Sequence, residues 1–139
     1  ETLLRAGDGC LAEGSRTSAF FLPAGAEGTD AAAGRQDGRP VVLTAPLSRV
    51  LAGVTRRHVL RAVALTGGVV LEAPTTDRDL AQGRIRGVFL TGTSIGTLPV
   101  SAVEAMPFPT AADPFFQAIR RAYQRLVDDM IRNTREDFE

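Results

Sequence analysis

The 139-residue sequence predicts one α/β domain built on a mixed sheet. Three observations carry this reading. Short apolar runs rich in β-favouring residues are bounded by Gly, Pro and Asp; two stretches carry apolar residues at helical spacing; and strands and helices alternate without an internal repeat.

The first run, Thr2 to Ala6, is followed by Gly7-Asp8-Gly9 and then Cys10-Leu11-Ala12, which reads as a hairpin because the Asp-Gly pair favours a tight turn. Ala19-Phe20-Phe21-Leu22 is a second strand, expected to meet Pro40-Val41-Val42-Leu43-Thr44. Between them, residues 23–39 are rich in Gly, Ala and Asp and offer nothing to bury, so they are expected to form a mobile loop. From Thr55 the period changes: Val59, Leu60, Val63 and Ala64 share one helical face, with Arg57, His58 and Arg61 opposite. That helix runs to about Thr66 and stops at Gly67-Gly68. Val69-Val70-Leu71-Glu72 is a strand, Thr76 or Asp77 can cap a short helix through Leu80 and Ala81, and Gly87-Val88-Phe89-Leu90 is a buried strand. Leu98-Pro99-Val100 is extended. Asp113-Pro114 supplies an N-cap and an N1 proline for a final helix that carries Phe115, Phe116, Ile119, Tyr123, Leu126, Val127 and Met130 on one side.

Composition narrows the function. Sixteen basic residues balance sixteen acidic ones, so no excess positive field gathers nucleic acid or an anionic membrane surface. The expected partner is a small molecule or another protein surface. One cysteine, Cys10, cannot form an internal disulfide, and with one histidine, His58, it cannot build a structural zinc site; a cytoplasmic location and no metal are expected. All sixteen basic residues are arginine, which excludes chemistry by an amine side chain within this sequence.

Three segments could carry chemistry. In Asp8-Gly9-Cys10-Leu11-Ala12-Glu13-Gly14-Ser15 an acidic residue, Glu13, ends a strand beside a glycine; by itself it could equally be a solvated turn glutamate. Leu51-Ala52-Gly53-Val54-Thr55-Arg56 leads straight into a helix, whose free N–H groups and positive dipole end suit a phosphate, although Thr55 could simply be a cap. Leu90-Thr91-Gly92-Thr93-Ser94-Ile95-Gly96 follows a buried strand and could form an anion-binding nest or an ordinary turn.

Taken in order, these three segments together with Leu98-Pro99-Val100 resemble the C-terminal half of the class IV (fold-type IV) pyridoxal-phosphate enzymes. That family includes the branched-chain and D-amino-acid aminotransferases and aminodeoxychorismate lyase. The resemblance covers roughly residues 1–105. It implies an α/β mixed-sheet large domain, a pseudo-barrel, with residues 1–139 forming a cofactor-binding domain cut at its N-terminal side. It also implies pyridoxal 5'-phosphate as cofactor, an amino acid and a 2-oxo acid as substrates, and a homodimer. Glu13 then matches the carboxylate that pairs with the pyridine nitrogen, Gly53, Val54 and Thr55 match the phosphate-binding helix start, and Gly92 and Thr93 match the second phosphate loop. Arg56 is assigned a structural role, and Ser18 stands where the family usually has Asn.

The same resemblance places the cofactor-linking lysine upstream of the glutamate, so no catalytic residue is assigned in this lysine-free chain. A missing N-terminal segment or a companion chain is expected to bring it. Gly53-Val54-Thr55-Arg56 and Thr91-Gly92-Thr93 are worded more like aminotransferases than like the lyase, which stays as the alternative, beside a noncatalytic module that keeps the fold. If the expectation is right, intact mass of the natural protein exceeds 14.8 kDa, or a companion chain co-purifies; a lone 14.8 kDa species would contradict it.

Overall fold

A computed structural model describes residues 1–25, 34–51 and 53–138. The strands in chain order are β1 Leu3–Arg5, β2 Cys10–Gly14, β3 Ser18–Pro23, β4 Arg35–Gln36, β5 Arg39–Thr44, β6 Val69–Glu72, β7 Thr75–Thr76, β8 Ile85–Gly92, β9 Gly96–Pro99, β10 Ala102–Val103 and β11 Met106–Pro107. The helices are α1 Val54–Leu65, α2 Asp77–Ala81 and α3 Pro114–Phe138. Nine strands join into one mixed sheet, with β10 and β11 as a separate hairpin. The α/β mixed-sheet expectation holds.

Strand β3 organises the sheet, pairing antiparallel with β2, β5 and β8. Its alternation divides the interior into two. Phe20 and Leu22 face α1 and α3 and pack with Val42, Val59, Phe89, Phe116 and Ile119. Ala19 and Phe21 face the opposite side, with Leu11, Leu80, Val88, Leu90 and Phe108. Phe20 and Phe89 are register partners across β3 and β8, and their rings stack at 5.1 Å. Phe116 of α3 tilts onto Phe89 at 5.3 Å, which fixes the helix to the sheet.

Between β5 and β6 the chain makes its parallel crossover, with Val41 opposite Val69 and Thr44 opposite Glu72. A parallel pair needs a crossover of this kind, and α1 supplies it. The buried arc of α1 is centred on Val59 and includes Thr55, Arg56, Ala62 and Val63. Leu60 is half-buried, but Ala64 lies beyond the arc and is exposed, contrary to expectation, because it sits about 140° from Val59 at roughly 100° per residue. Thr76 caps α2 in a reciprocal capping box with Asp79. Asp79 is pulled upward by burial, yet the Thr76 hydrogen bonds and Arg84 outweigh that and hold its carboxyl below the ordinary value.

The expected loop at residues 23–39 is corrected at both ends. Pro23 still belongs to β3, and Arg35–Gln36 pairs with Pro40 and Arg39 in a hairpin. The turn is Asp37-Gly38, both at positive φ (51° and 74°), the conformation of a two-residue hairpin turn that Asp-Gly favours. Residues 26–33 of that expectation lie outside the described residues.

Asp113 behaves as the N-cap anticipated for α3: its Oδ1 accepts from the N–H groups of Phe115 (2.9 Å) and Phe116 (3.2 Å), while Oδ2 accepts from Arg86 Nε at 2.8 Å. The Asp113 side chain is only 12% exposed. Asp113→Ala strips the cap and leaves Arg86 without its carboxylate, and should cost about 2 kcal/mol of unfolding free energy. Urea titration followed by circular dichroism measures it, and Asp113→Asn, which keeps an acceptor for the helix, should recover part of the loss.

Candidate functional site

Register brings the site together. Glu13 of β2 lies opposite Ser18 of β3, Ser18 lies opposite Thr91 of β8, and Thr91 lies opposite Thr97 of β9. Directly opposed residues share a face. Ser18 is two residues before Phe20 and Thr91 two after Phe89, so this polar row continues the helix-covered face at the point where its apolar packing ends. Gly14 allows the tight return from β2 to β3: its N–H donates to Thr17 O at 2.8 Å, and a Cβ there would collide with Thr17 Oγ1.

Helix α1 begins beside this row. Its N-cap is Gly53, at φ −71° and ψ 146°, with no side-chain cap and no acidic residue in the first turn. The first amides of a helix have no acceptor within it, and here no side chain of the cap substitutes. They therefore present N–H groups and the positive end of the helix dipole. Across from α1, β8 turns into β9 through Thr93-Ser94-Ile95, closed by the Gly92 and Gly96 pair, with Gly96 at φ 62°. Thr91 and Gly92 are thus strand residues rather than loop, and only Thr93 to Ile95 form the turn.

Glu13, Gly53, Val54, Thr55, Gly92 and Thr93, the residues singled out in the sequence, all line one cleft of about 310 Å³. That is the lower end of the range for small-molecule sites. The cleft also holds residues that sequence reasoning left without a role. Thr91 is 1% exposed, and its hydroxyl, like that of Thr17, is buried with no hydrogen-bond partner among the described residues. Strand alternation from Phe89 was the available signal for Thr91, since it directs that hydroxyl to the same face. Burying an unpaired hydroxyl costs about 1–3 kcal/mol, so two of them beside a bare helix start mark a place where a polar ligand fits. The donor set suits an anion: hydroxyls, backbone N–H groups and the arginines Arg16 and Arg56, opposed by the single carboxylate of Glu13.

Neighbouring charges hold the frame. Arg49, in the 3-10 turn Leu47–Arg49 that leads to α1, pairs with Asp8 in the turn between β1 and β2. The pair lowers the Asp8 carboxyl from 3.8 to about 2, mainly through the hydrogen bond from Arg49. Cys10 is 7% exposed; burial raises its thiol, and Asp8 raises it further, which suits a packing residue rather than a nucleophile. Arg56 is buried at 3% exposure and donates from Nη2 to Ala45 O (3.3 Å) and Glu72 Oε1 (3.2 Å), in keeping with the structural role assigned to it. His58 is half-buried on the outer side of α1. A larger cleft, about 630 Å³, opens elsewhere, between β1 and the segment from Leu98 to Glu104. Its charged pair, Arg5 and Asp77, is satisfied internally, and it holds none of the six residues singled out in the sequence.

Comparison with known proteins bears on the family and the fold. The family model of the class IV amino-transferases matches residues 1–103. No curated protein sequence matches the chain. Among solved structures, the branched-chain aminotransferase of Thermoproteus uzoniensis with norvaline superposes with a TM-score of 0.71 at 24% identity, over 90% of this chain and 36% of that one. A T.th. branched-chain amino acid aminotransferase, complexed with N-(5'-phosphopyridoxyl)-L-glutamate, gives 0.67 at 29% identity over 88% and 36%. That of Escherichia coli gives 0.68 at 22% over 87% and 36%. The chain therefore spans a little over a third of the length of the structures it matches. Among the described residues, no helix is long and apolar enough to cross a membrane.

The tie between Asp8 and Arg49 has a definite pH dependence. The carboxyl is depressed in the folded state, so its stabilisation is fully present above the ordinary value of 3.8 and is lost as pH falls toward about 2. Thermal melts of the parent and Asp8→Asn should differ by a constant amount above about pH 5 and converge in strong acid. A difference that grew on acidification would contradict the assignment.

Proposed function

The chain belongs to the class IV aminotransferase family, and from that premise we propose that it forms the pyridoxal-phosphate-binding part of an enzyme that moves an amino group between an amino acid and a 2-oxo acid. The observation that carries this reading is the convergence, on one cleft, of a carboxylate, a bare helix start and a hydroxyl-bearing turn from three separate parts of the sequence. The complex of a similar aminotransferase with a phosphopyridoxyl ligand supports the choice of cofactor.

On this reading the N–H groups at the start of α1, with the hydroxyls of Thr55 and Thr93, hold the phosphate. Gly53 and Gly92 keep the approach open, and the turn at Thr93 closes over the anion from the opposite side. When bound, pyridoxal phosphate supplies a conjugated ring that takes up the electron pair left as a Cα–H bond breaks. Glu13 serves that chemistry by keeping a proton on the ring nitrogen, because a carboxylate within hydrogen-bond reach favours the protonated base. The covalent anchor cannot come from these residues, which include no lysine, and on this reading another segment or chain brings it. Leu51 and Val54, which line the cleft, are 79% and 57% exposed. That apolar rim is consistent with a second polypeptide surface over the site, as in a homodimer.

Two substitutions test the assignment. Thr55→Val with Thr93→Val removes two hydroxyl donors to an anion, each worth on the order of 1.5–3 kcal/mol, and should weaken pyridoxal-phosphate retention at least about tenfold. Unchanged affinity would remove the phosphate site. Glu13→Gln keeps shape and loses charge; in the active enzyme it should slow amino-group transfer at least about tenfold, roughly 1.4 kcal/mol of barrier, while cofactor binding persists. Transfer at the parental rate would make Glu13 a solvated turn residue.

A further inference from the structure

The guanidinium of Arg56 is the charged group of the cleft wall that its hydrogen bonds leave incompletely satisfied among the described residues. It sits in the first turn of α1, 3% exposed, between the carboxyl ends of the parallel strands β5 and β6. Its Nη2 donates to Ala45 O and to Glu72, but Nε is buried with no acceptor among the described residues. Its counter-ion neutralises it only in part, since the Glu72 side chain is 45% exposed and the adjoining water screens the 3.2 Å pair. The other charged side chains that line the cleft are Glu13, across the row, and Arg16, exposed on the turn between β2 and β3. Arg56 alone is both charged and buried behind the helix start.

We propose that Arg56 is a positioning residue with an electrostatic role: it locks the first turn of α1 to the sheet, and its under-neutralised charge raises the affinity of that helix start for a doubly charged phosphate. This rests on the proposed phosphate site. Two independent features point to a ligand there, the buried unpaired Nε of Arg56 and the buried unpaired hydroxyl of Thr91. Glu72 then acts against binding. It satisfies Arg56 while the site is empty of anion and competes with the phosphate for the same charge.

That competition separates the proposal from a clamp of purely structural kind. Glu72→Gln frees the guanidinium from its carboxylate while leaving an amide oxygen as acceptor. A structural clamp predicts weaker or unchanged anion binding in this variant; the proposal predicts tighter binding, by about three- to tenfold at low ionic strength, with the gain shrinking as salt is added. The experiment is titration of the protein with inorganic phosphate, followed by phosphorus NMR, and with pyridoxal 5'-phosphate, followed by absorbance, at one pH and two salt concentrations. Arg56→Gln should weaken both ligands at least about tenfold, and Arg56→Lys, which restores charge without the planar fork, should recover part of it. Should Arg56→Gln fail to fold, Glu72→Gln still decides, because that side chain is at the surface, 45% exposed, and Gln keeps its size. A second readout is the stabilisation by added phosphate: Glu72→Gln should melt lower than the parent without phosphate and gain more from it. Affinity in Glu72→Gln equal to or below the parent's would overturn the role of Arg56 alone. A parent protein that binds neither ligand would overturn the phosphate site and this inference together.

Discussion

The structure depends on the register of β2, β3 and β8. Because Glu13, Ser18 and Thr91 stand directly opposite one another, a carboxylate near one edge of the sheet and a hydroxyl four residues after a buried glycine, Gly87, face the same space. A slip of one residue would turn all three to the opposite face and carry Phe20 and Phe89 out of the helix-covered core. The stacked pair Phe20 and Phe89 therefore does two jobs. Both rings are fully buried and anchor the helix-covered core, and their position sets the phase in which Ser18 and Thr91 emerge beyond it.

Around that register the protein leaves several local rules unfulfilled at one place. α1 starts on a glycine without a side-chain cap, whereas α2 and α3 are capped by Thr76 and Asp113. The hydroxyls of Thr17 and Thr91 and the Nε of Arg56 are buried without partners among the described residues, and all three residues line the same cleft. Each departure costs stability in the ligand-free protein, and three of the four such buried groups among the described residues belong to the lining of this one cleft. Elsewhere in the domain, Thr44 bonds to Ala19 O and Thr110 bridges Val88 N and Val100 O, while the buried hydroxyl of Thr75, outside the cleft, is also without a partner among the described residues.

Much of this was legible in the sequence, for physical reasons that differ between elements. The long helix Pro114–Phe138 could be read from Asp113-Pro114 and from the spacing of Phe116, Ile119 and Tyr123, because capping and amphipathic period are both local signals. The six residues proposed for the site were singled out as short motifs in a fixed order, and the fold brings them to one cleft. What was missed is non-local or was overlooked. The hairpin at Arg35 to Pro40 is announced by Asp37-Gly38, whose turn chemistry was outweighed by the polar composition around it. Ala64 faces outward because the buried arc of α1 is centred one step earlier than its leucine and valine content suggests. The unpaired hydroxyl of Thr91 and the exposed counter-ion of Arg56 depend on which strands and helices meet, which no single window of sequence contains.

The central claim is that a phosphorylated cofactor enters the cleft between α1 and the β8–β9 turn. The most direct measurement is a map of backbone amide chemical shifts as pyridoxal 5'-phosphate is added to the isotopically labelled protein. The account predicts that the largest changes fall on Val54, Thr55, Arg56, Gly92 and Thr93, with a smaller set at Glu13, Thr17 and Ser18. Changes centred instead on Leu3, Arg5, Val100 and Val103, the walls of the larger cleft, would contradict it.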